Sequence, residues 1–325
     1  MKYVAASIAL LFSITAVVDA RAQTPSDYPS RPVQMIIPLA AGSAGDVALR
    51  VVAAKMSADF GKQIVIENMP GAAGLIGAER AARAAPDGYT IFGVSDSVLT
   101  SVPLLNSNAK FDPLKDFAPV TQIVTNDWVL VTNPLFPAKS VKELLELAAA
   151  KPNTIDFASG GNGSPQQTAM EIFKSRTGAK LVHVPYRGAT GALTDVVSGT
   201  VPLMFTAVAV AQSFIKSGKL RALATGGKQR SDLLPDVPTV AEAGVAGFEW
   251  STWTSIMVPA NTPPAIINKL HGAAVAALKD GEVREKLLAL GVVPNGNTPS
   301  EFKANLAADY AKMSDIIKAA GIKAD

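Results

Sequence analysis

No cysteine occurs among the 325 residues, so disulfides, thiolate nucleophiles and cysteine-ligated metals are excluded. Histidine is nearly as scarce, at His183 and His271 only. No H-E-x-x-H, Walker A or G-x-S-x-G pattern accompanies them, and the serines near glycines have no evident base partner in sequence. A Ser-His-carboxylate set assembled from distant positions is the one hydrolytic arrangement left open. Basic tracts are missing too, and with a formal net charge of +3 nucleic acid is not an expected partner. Beyond the amino terminus no apolar run reaches the ~18 residues that span a bilayer. What remains to hold the chain is a core, which roughly 300 residues can bury as two domains or one large one.

What is present begins with an export signal. Lys2, an apolar run from Val4 to Val18 and the small-residue exit Ala20-Arg21-Ala22 have the three parts of a secretory leader, which predicts a mature chain from about Gln23. An uncleaved anchor is the rival reading.

The mature sequence alternates strand and helix. Val33 to Ile37 is a β-branched run suited to a buried strand, and Asp46 to Phe60 has a helical pattern that stops at Gly61. Gln63 to Asn68, a helix from Ile76 to Ala84 and Tyr89 to Val94 complete a βαβαβ order, the mark of an open, mostly parallel sheet. Val120 to Val124 and Trp128 to Val131 read as two extended segments crossing into a second lobe. There the alternation resumes, with a helix from Ser140, strand 154–158, helix 164–177, strand 180–184, helix 189–198 and strand 201–206. The chain returns through 220–225 and 248–258. Three amphipathic helices, 263–279, 281–290 and 299–320, are expected to cover the first lobe. The predicted organisation is a leader at 1–22, a first lobe from 23–124 plus 226–325, and a second lobe at 125–225. Ligands bind such α/β folds in a cleft facing the carboxyl ends of the strands.

Three glycine-bearing turns, each between a strand and a helix, would line that cleft. In the first, Ala41, Gly42, Ser43, Ala44 and Gly45 put almost no side chain between a ligand and the N–H groups of an incoming helix, whose dipole favours an anion. Asp46 reads as its N-cap. The second is ASGGNG, containing Ser159, Gly161, Asn162 and Gly163, before a helix opened by Ser164 and Pro165. In the third, Tyr186, Arg187, Gly188, Ala189 and Thr190 precede another helix, with Asp195 inside it organising the loop. Arg187 is either a bidentate partner for a carboxylate or a structural ion pair. Relief of backbone strain is the plain alternative for each turn, but three turns meeting in one cleft favour a binding site. Gly71, Gly74 and Gly77 follow G-x-x-G-x-x-G rather than the dinucleotide spacing, which points to close helix packing or a second wall of the cleft. His183 lies within a strand and is expected to be a satisfied structural histidine, and His271 a surface one.

Five stretches in order, YPSRPVQMIIPLAAGSAGDVALRVVAAKM, ENMPGAAGLIGAERAARAAPDGYTI, FASGGNGSPQQTAMEIF, HVPYRGATGALTDVVSG and PDVPTVAEAGVAGFE, resemble the signatures of the substrate-binding proteins of tripartite tricarboxylate transporters, the Bug-type family. The resemblance covers the chain from Tyr28 to the last helix. It implies a two-lobed Venus flytrap in the periplasm, a monomer without cofactor, metal or catalysis. Such a protein captures a small organic acid and delivers it to a membrane permease of one large and one small subunit. It also implies that the turns matching 40–46, 159–164 and 186–195 hold carboxylate through backbone donors and ordered water. A sensory module serving a receptor kinase and a secreted hydrolase are the alternatives. Relatives have Pro-Pro-Gly-Gly, then threonine and aspartate, where this chain has Ala40 to Asp46, and often histidine where it has Gln167. Thr206-Ala207-Val208 replaces a more polar stretch. Less polar walls suggest an acid with a larger apolar body, an aromatic carboxylate or a dicarboxylate, with Trp253 either a flat wall or a core residue.

Overall fold

A computed structural model describes residues 27–39, 41–161, 164–186 and 188–320. The leader, and Ala40, Asn162, Gly163 and Arg187 of the candidate turns, lie outside the described residues. No helix among those described is long and apolar enough to cross a membrane.

The first lobe runs β1 (Val33–Ile37), α1 (Ala44–Phe60), β2 (Ile64–Asn68), α2 (Leu75–Ala82), β3 (Thr90–Ser95), then the short α3 (Asp96–Leu99) and α4 (Ser101–Leu105). Strands β2, β1 and β3 pair in parallel. β1 shows why the run of apolar residues becomes a central strand. Val33, Met35 and Ile37 face one buried cluster with Leu49, Val52 and Met56 of α1, while Ile36 points into another with Leu75, Phe92 and Val94. Both faces are covered, so the run need not alternate with polar residues.

β4 (Phe117–Thr132) follows. The two extended segments read from the sequence are one strand of 16 residues. The polar Asn126 and Asp127 that divide them are paired with Thr252 and Ser251, so the ladder continues where the apolar run does not. The second lobe then runs α5 (Val141–Ala150), β5 (Ile155–Ser159), α6 (Pro165–Thr177), β6 (Leu181–Pro185), α7 (Ala189–Ser198), β7 (Leu203–Ala207), α8 (Val208–Lys216) and β8 (Arg221–Thr225). β6, β5 and β7 are parallel, while β7 and β8 pair antiparallel with the second half of β4.

The return strand β9 (Ser251–Pro259) lies antiparallel between β3 and the first half of β4. α9 (Pro264–Lys279), α10 (Gly281–Ala289), the two-residue β10 (Val293–Pro294) and α11 (Pro299–Ala320) end the chain. The whole is a mixed ten-stranded sheet flanked by helices.

Two segments pack differently from the sequence reading. Val240, Val245, Phe248 and Trp250, assigned above to the first lobe, sit in the second-lobe core with Phe157, Phe173 and Phe205. α11 covers both lobes rather than one. Phe302 and Leu306 enter the first-lobe cluster, while Met313 enters the second. A helix of 22 residues is about 33 Å long, enough to cross the junction.

Candidate ligand-binding site

The first turn is organised by a buried carboxylate. Ser43, not Asp46, is the N-cap of α1, and its hydroxyl accepts from Asp46 N at 3.4 Å. Asp46 therefore occupies the third helical position, the reciprocal place in a capping box. Its side chain, 1% exposed, reaches back to accept from Gly42 N at 2.8 Å and from Arg50 Nε at 2.9 Å through Oδ2. Oδ1 accepts from Asn68 Nδ2 at 2.8 Å, and the same Asn68 amide donates to Leu39 O. Burial by itself would raise the carboxyl's pKa. The bonds from Arg50, Asn68 and Gly42 outweigh it and hold the group below the usual carboxylate range. An ionised Asp46 thus ties the end of β1, the end of β2 and the start of α1 into one corner. The N–H groups of a first helical turn have no acceptor within the helix.

The second turn is organised without charge. Ser159, at the end of β5 and fully buried, stands 2.5 Å from His183 Nε2. Gln167 Nε2 lies 3.3 Å from the other ring nitrogen. Gly161 N donates to Ser159 Oγ at 3.1 Å, Ser159 Oγ donates to Gly161 O at 3.1 Å, and Ser164 N donates to the same carbonyl at 3.2 Å. Ser164 caps α6, with proline in its first turn. Burial lowers the pKa of His183, Glu171 nearby opposes that and Lys174 reinforces it, so the ring is neutral at pH 7.

The third turn leans on the second. Tyr186 N donates to Ser159 O at 3.0 Å. A Cβ on Gly161 would stand 3.1 Å from Tyr186 O, and one on Gly160 would stand 3.1 Å from Ala189 N. At φ +120° Gly161 also has a backbone that other residues rarely adopt. Gly188 precedes α7 without a side-chain cap, and Ala189 and Thr190 are exposed at the helix start. Tyr186 OH donates to Asp195 Oδ2 at 2.6 Å. Burial, then the bond to Asp195 and its charge, push the phenol up to about 12.

The two lobes meet along β4. Thr254, whose hydroxyl lies 3.2 Å from where a Gly45 Cβ would stand, pairs with Val124 of β4 and with Ser95 at the end of β3. Ala207, at the end of β7, pairs with Trp128. Four residues of strand, about 13 Å, separate these two levels on β4. Gly291 approaches α8 closely. A Cβ there would stand 2.2 Å from Ala209 Cβ.

Other residues fall elsewhere. Trp253 is a core residue, 4% exposed, edge-on to Phe302, with its indole N–H on Asp309 Oδ2 at 2.8 Å, so it offers the cleft no flat wall. Gly74 and Gly77 serve packing. A Cβ on Gly74 would meet Val98 Cγ2 at 2.8 Å, and one on Gly77 would meet Pro38 Cβ and Met69 O at 3.0 Å. His271 Nε2 lies 3.2 Å from Asn297 O. A small cavity of about 40 Å³ beside the hinge is lined by Asp96, Trp250, Asp309 and Lys312. Burial and the charge of Asp309 drive the Asp96 carboxyl up to about 7, against bonds from the N–H groups of Ser97 and Trp253. Two wider grooves, about 950 and 760 Å³, lie outside α2 and between α6 and α11, away from the three turns.

Sequence reasoning did not find the Ser159–His183–Gln167 set. Its members are 24 and 16 residues apart, and only the register that puts Phe157 beside His183 brings them together.

The family model described as tripartite tricarboxylate transporter family receptor matches residues 48–322. The chain belongs to that family. Its members are periplasmic substrate-binding proteins rather than enzymes, which removes the hydrolase reading. Protein BugT of Bordetella pertussis is 35% identical over 297 residues, 91% of each chain. An R. palustris protein solved with adipate is 30% identical at a TM-score of 0.75, covering 91% of this chain and 99% of its own. A second protein, from Rhodopseudomonas palustris and solved with bound malate, is 30% identical at a TM-score of 0.71, covering 89% of this chain and all of its own. The periplasmic-binding-protein fold and a carboxylate-binding role follow for this member.

Proposed function

We propose that this receptor grips an aliphatic dicarboxylate between its lobes and, as a monomer exported by a cleaved leader, hands it to a membrane permease. One acid end sits against the start of α1 at Ala41 to Asp46. The other sits against the paired turns at Ser159 to Ser164 and Tyr186 to Thr190, with Arg187 and bridging waters completing the contacts.

The observation that carries this reading is the pairing itself. Helices of 17, 13 and 10 residues begin at small-residue turns on both sides of the β4 crossing. Each presents N–H groups and the positive end of a dipole to an anion. A ligand with an acid at each end satisfies both walls. The adipate and malate bound by the two neighbours are of that kind. An aromatic acid loses support, because Trp253 is occupied in the core. Lobe closure must favour the loaded state for a permease to distinguish it from the empty one.

Titration calorimetry of the mature chain with adipate, malate and benzoate tests the reading. The expected result is saturable 1:1 binding of a diacid, weaker or absent with benzoate. Binding of none of them, or of benzoate alone, refutes it.

A further inference from the structure

Ser159 has a single hydroxyl proton and three neighbours. Gly161 N–H donates to its oxygen, Gly161 O lies in position to take its proton, and His183 Nε2 stands 2.5 Å away. If the hydroxyl proton goes to Gly161 O, the bond to His183 needs a proton on Nε2. The opposite side of the ring demands the same. The Gln167 amide nitrogen facing Nδ1 carries only protons, so Nδ1 must carry the lone pair. Both sides of the ring agree on one tautomer. The chain of donation then runs Gln167, His183, Ser159, Gly161 O, and that carbonyl also takes Ser164 N–H at the cap of α6.

The cap itself shows that this arrangement displaces another. Ser164 and Gln167 have the spacing of a capping box, in which the third residue's side chain returns to the N-cap N–H. Here Ser164 Oγ accepts from Gln167 N, but the Gln167 side chain is turned to His183, and Gly161 O takes the N–H of Ser164 instead.

We propose that His183 is a positioning residue for ligand capture: its neutral Nε2–H form, selected by Gln167, holds Ser159, Gly161 and Ser164 in the arrangement that receives a carboxylate. The inference rests on the reading of their turn as part of the binding site. The charged groups facing the ring are Glu171 and Lys174 of α6, themselves paired at 2.9 Å. β5 contributes the uncharged Phe157, stacked at 4.9 Å, and Ser159. Protonation puts a second donor on Nδ1 opposite the Gln167 N–H, and one of the two must turn away.

Gln167→Glu separates positioning from mere packing. A carboxylate at this place accepts from Nδ1–H, so the neutral ring takes the other tautomer and Nε2 no longer donates to Ser159. Adding a proton restores that donor, because the charged ring carries both. The variant's dependence on acid is therefore opposite to that of the wild type.

The first measurement is long-range nitrogen–proton NMR of the ligand-free mature chain, with His271→Gln assigning the second histidine. The expected wild-type ring at pH 7.5 is protonated at Nε2, and that of Gln167→Glu at Nδ1, with faster exchange of the Gly161 amide in the variant. Adipate and malate titrations follow between pH 7.5 and 5. Affinity should fall about fivefold in the wild type over this range and rise in the variant, the scale of one hydrogen bond. Asp96 also titrates near neutrality, so the readout is the difference between the chains at each pH. A wild-type ring protonated at Nδ1, equal Gly161 exchange in both chains, or parallel pH profiles overturns the proposal. The expected spectra with no carboxylate bound by either chain overturn instead the reading of the turn as a carboxylate site.

Discussion

The turns of the two lobes have the same task in the proposed site and opposite chemistry. In the first lobe an ionised Asp46 gathers a main-chain N–H, an amide and a guanidinium. In the second, Ser159, His183 and Gln167 do the corresponding work with no net charge. In the proposed site, then, a turn that receives an anion does not need a cation behind it. What it needs is a fixed backbone, and either a buried carboxylate satisfied by donors or a neutral relay supplies one. Placing a bare carboxylate in both walls would set two like charges against the ligand. The arrangement keeps the charge of Asp46 neutralised by Arg50.

Removing the charged corner should have the largest effect. Asp46→Ala strands Gly42 N–H and Asn68 and is expected to cost about 2–4 kcal/mol in urea unfolding. The corresponding neutral change, Ser159→Ala, is expected to cost about half as much. Equal losses would erase the distinction between the corners.

Acid sharpens the contrast next. Both groups have lowered pKa values in the folded state, so each supports the fold above its unfolded value and loses that support as pH falls through the folded one. For His183 the loss begins near 6.5, and for Asp46 only below about 3.8. Hydrogen exchange, corrected for its intrinsic pH dependence, should therefore show the Gly161 amide loosening between pH 7 and 5 while the Gly42 amide stays protected. Joint loosening would mean that the two turns are coupled rather than separately built.

The smallest expected effect is a match. Ser43 and Ser164 cap their helices with bonds of the same length, 3.4 Å. Ser43→Ala and Ser164→Ala should each cost about 1 kcal/mol by thermal or urea unfolding. A much larger loss at Ser164 would reveal that the neutral turn depends on its cap more than the charged one does.

How much of this the sequence disclosed follows from which interactions are local. β1, α7 and α11 have the bounds read from apolar runs and end signals. The start of α1 was misplaced because Asp46 is as good a capping residue as Ser43, and Gly45 between them gives no helical signal. α8 was not foreseen. It begins at Val208, its N-cap Ala207 offers no side-chain bond, and it follows β7 directly, so the apolar residues of strand and helix run together. The three turns were recognisable from glycine and serine between strand and helix. Their contacts were not, since Tyr186 meets Ser159, and Asn68 meets Asp46, only through strand order and register.

β4 gives the molecule a further property. Its first half pairs with β9 and its second half with β7 and β8, with no loop between, and its ladder with β9 shifts register at Pro119/Thr121 and Gln122/Val124. A chain joined in this way cannot fold one half and then attach the other as a separate bead. Any rocking of the halves must be absorbed as torsion of that shared ribbon, so the receptor should yield like a sprung clip rather than swing like a door on a pin.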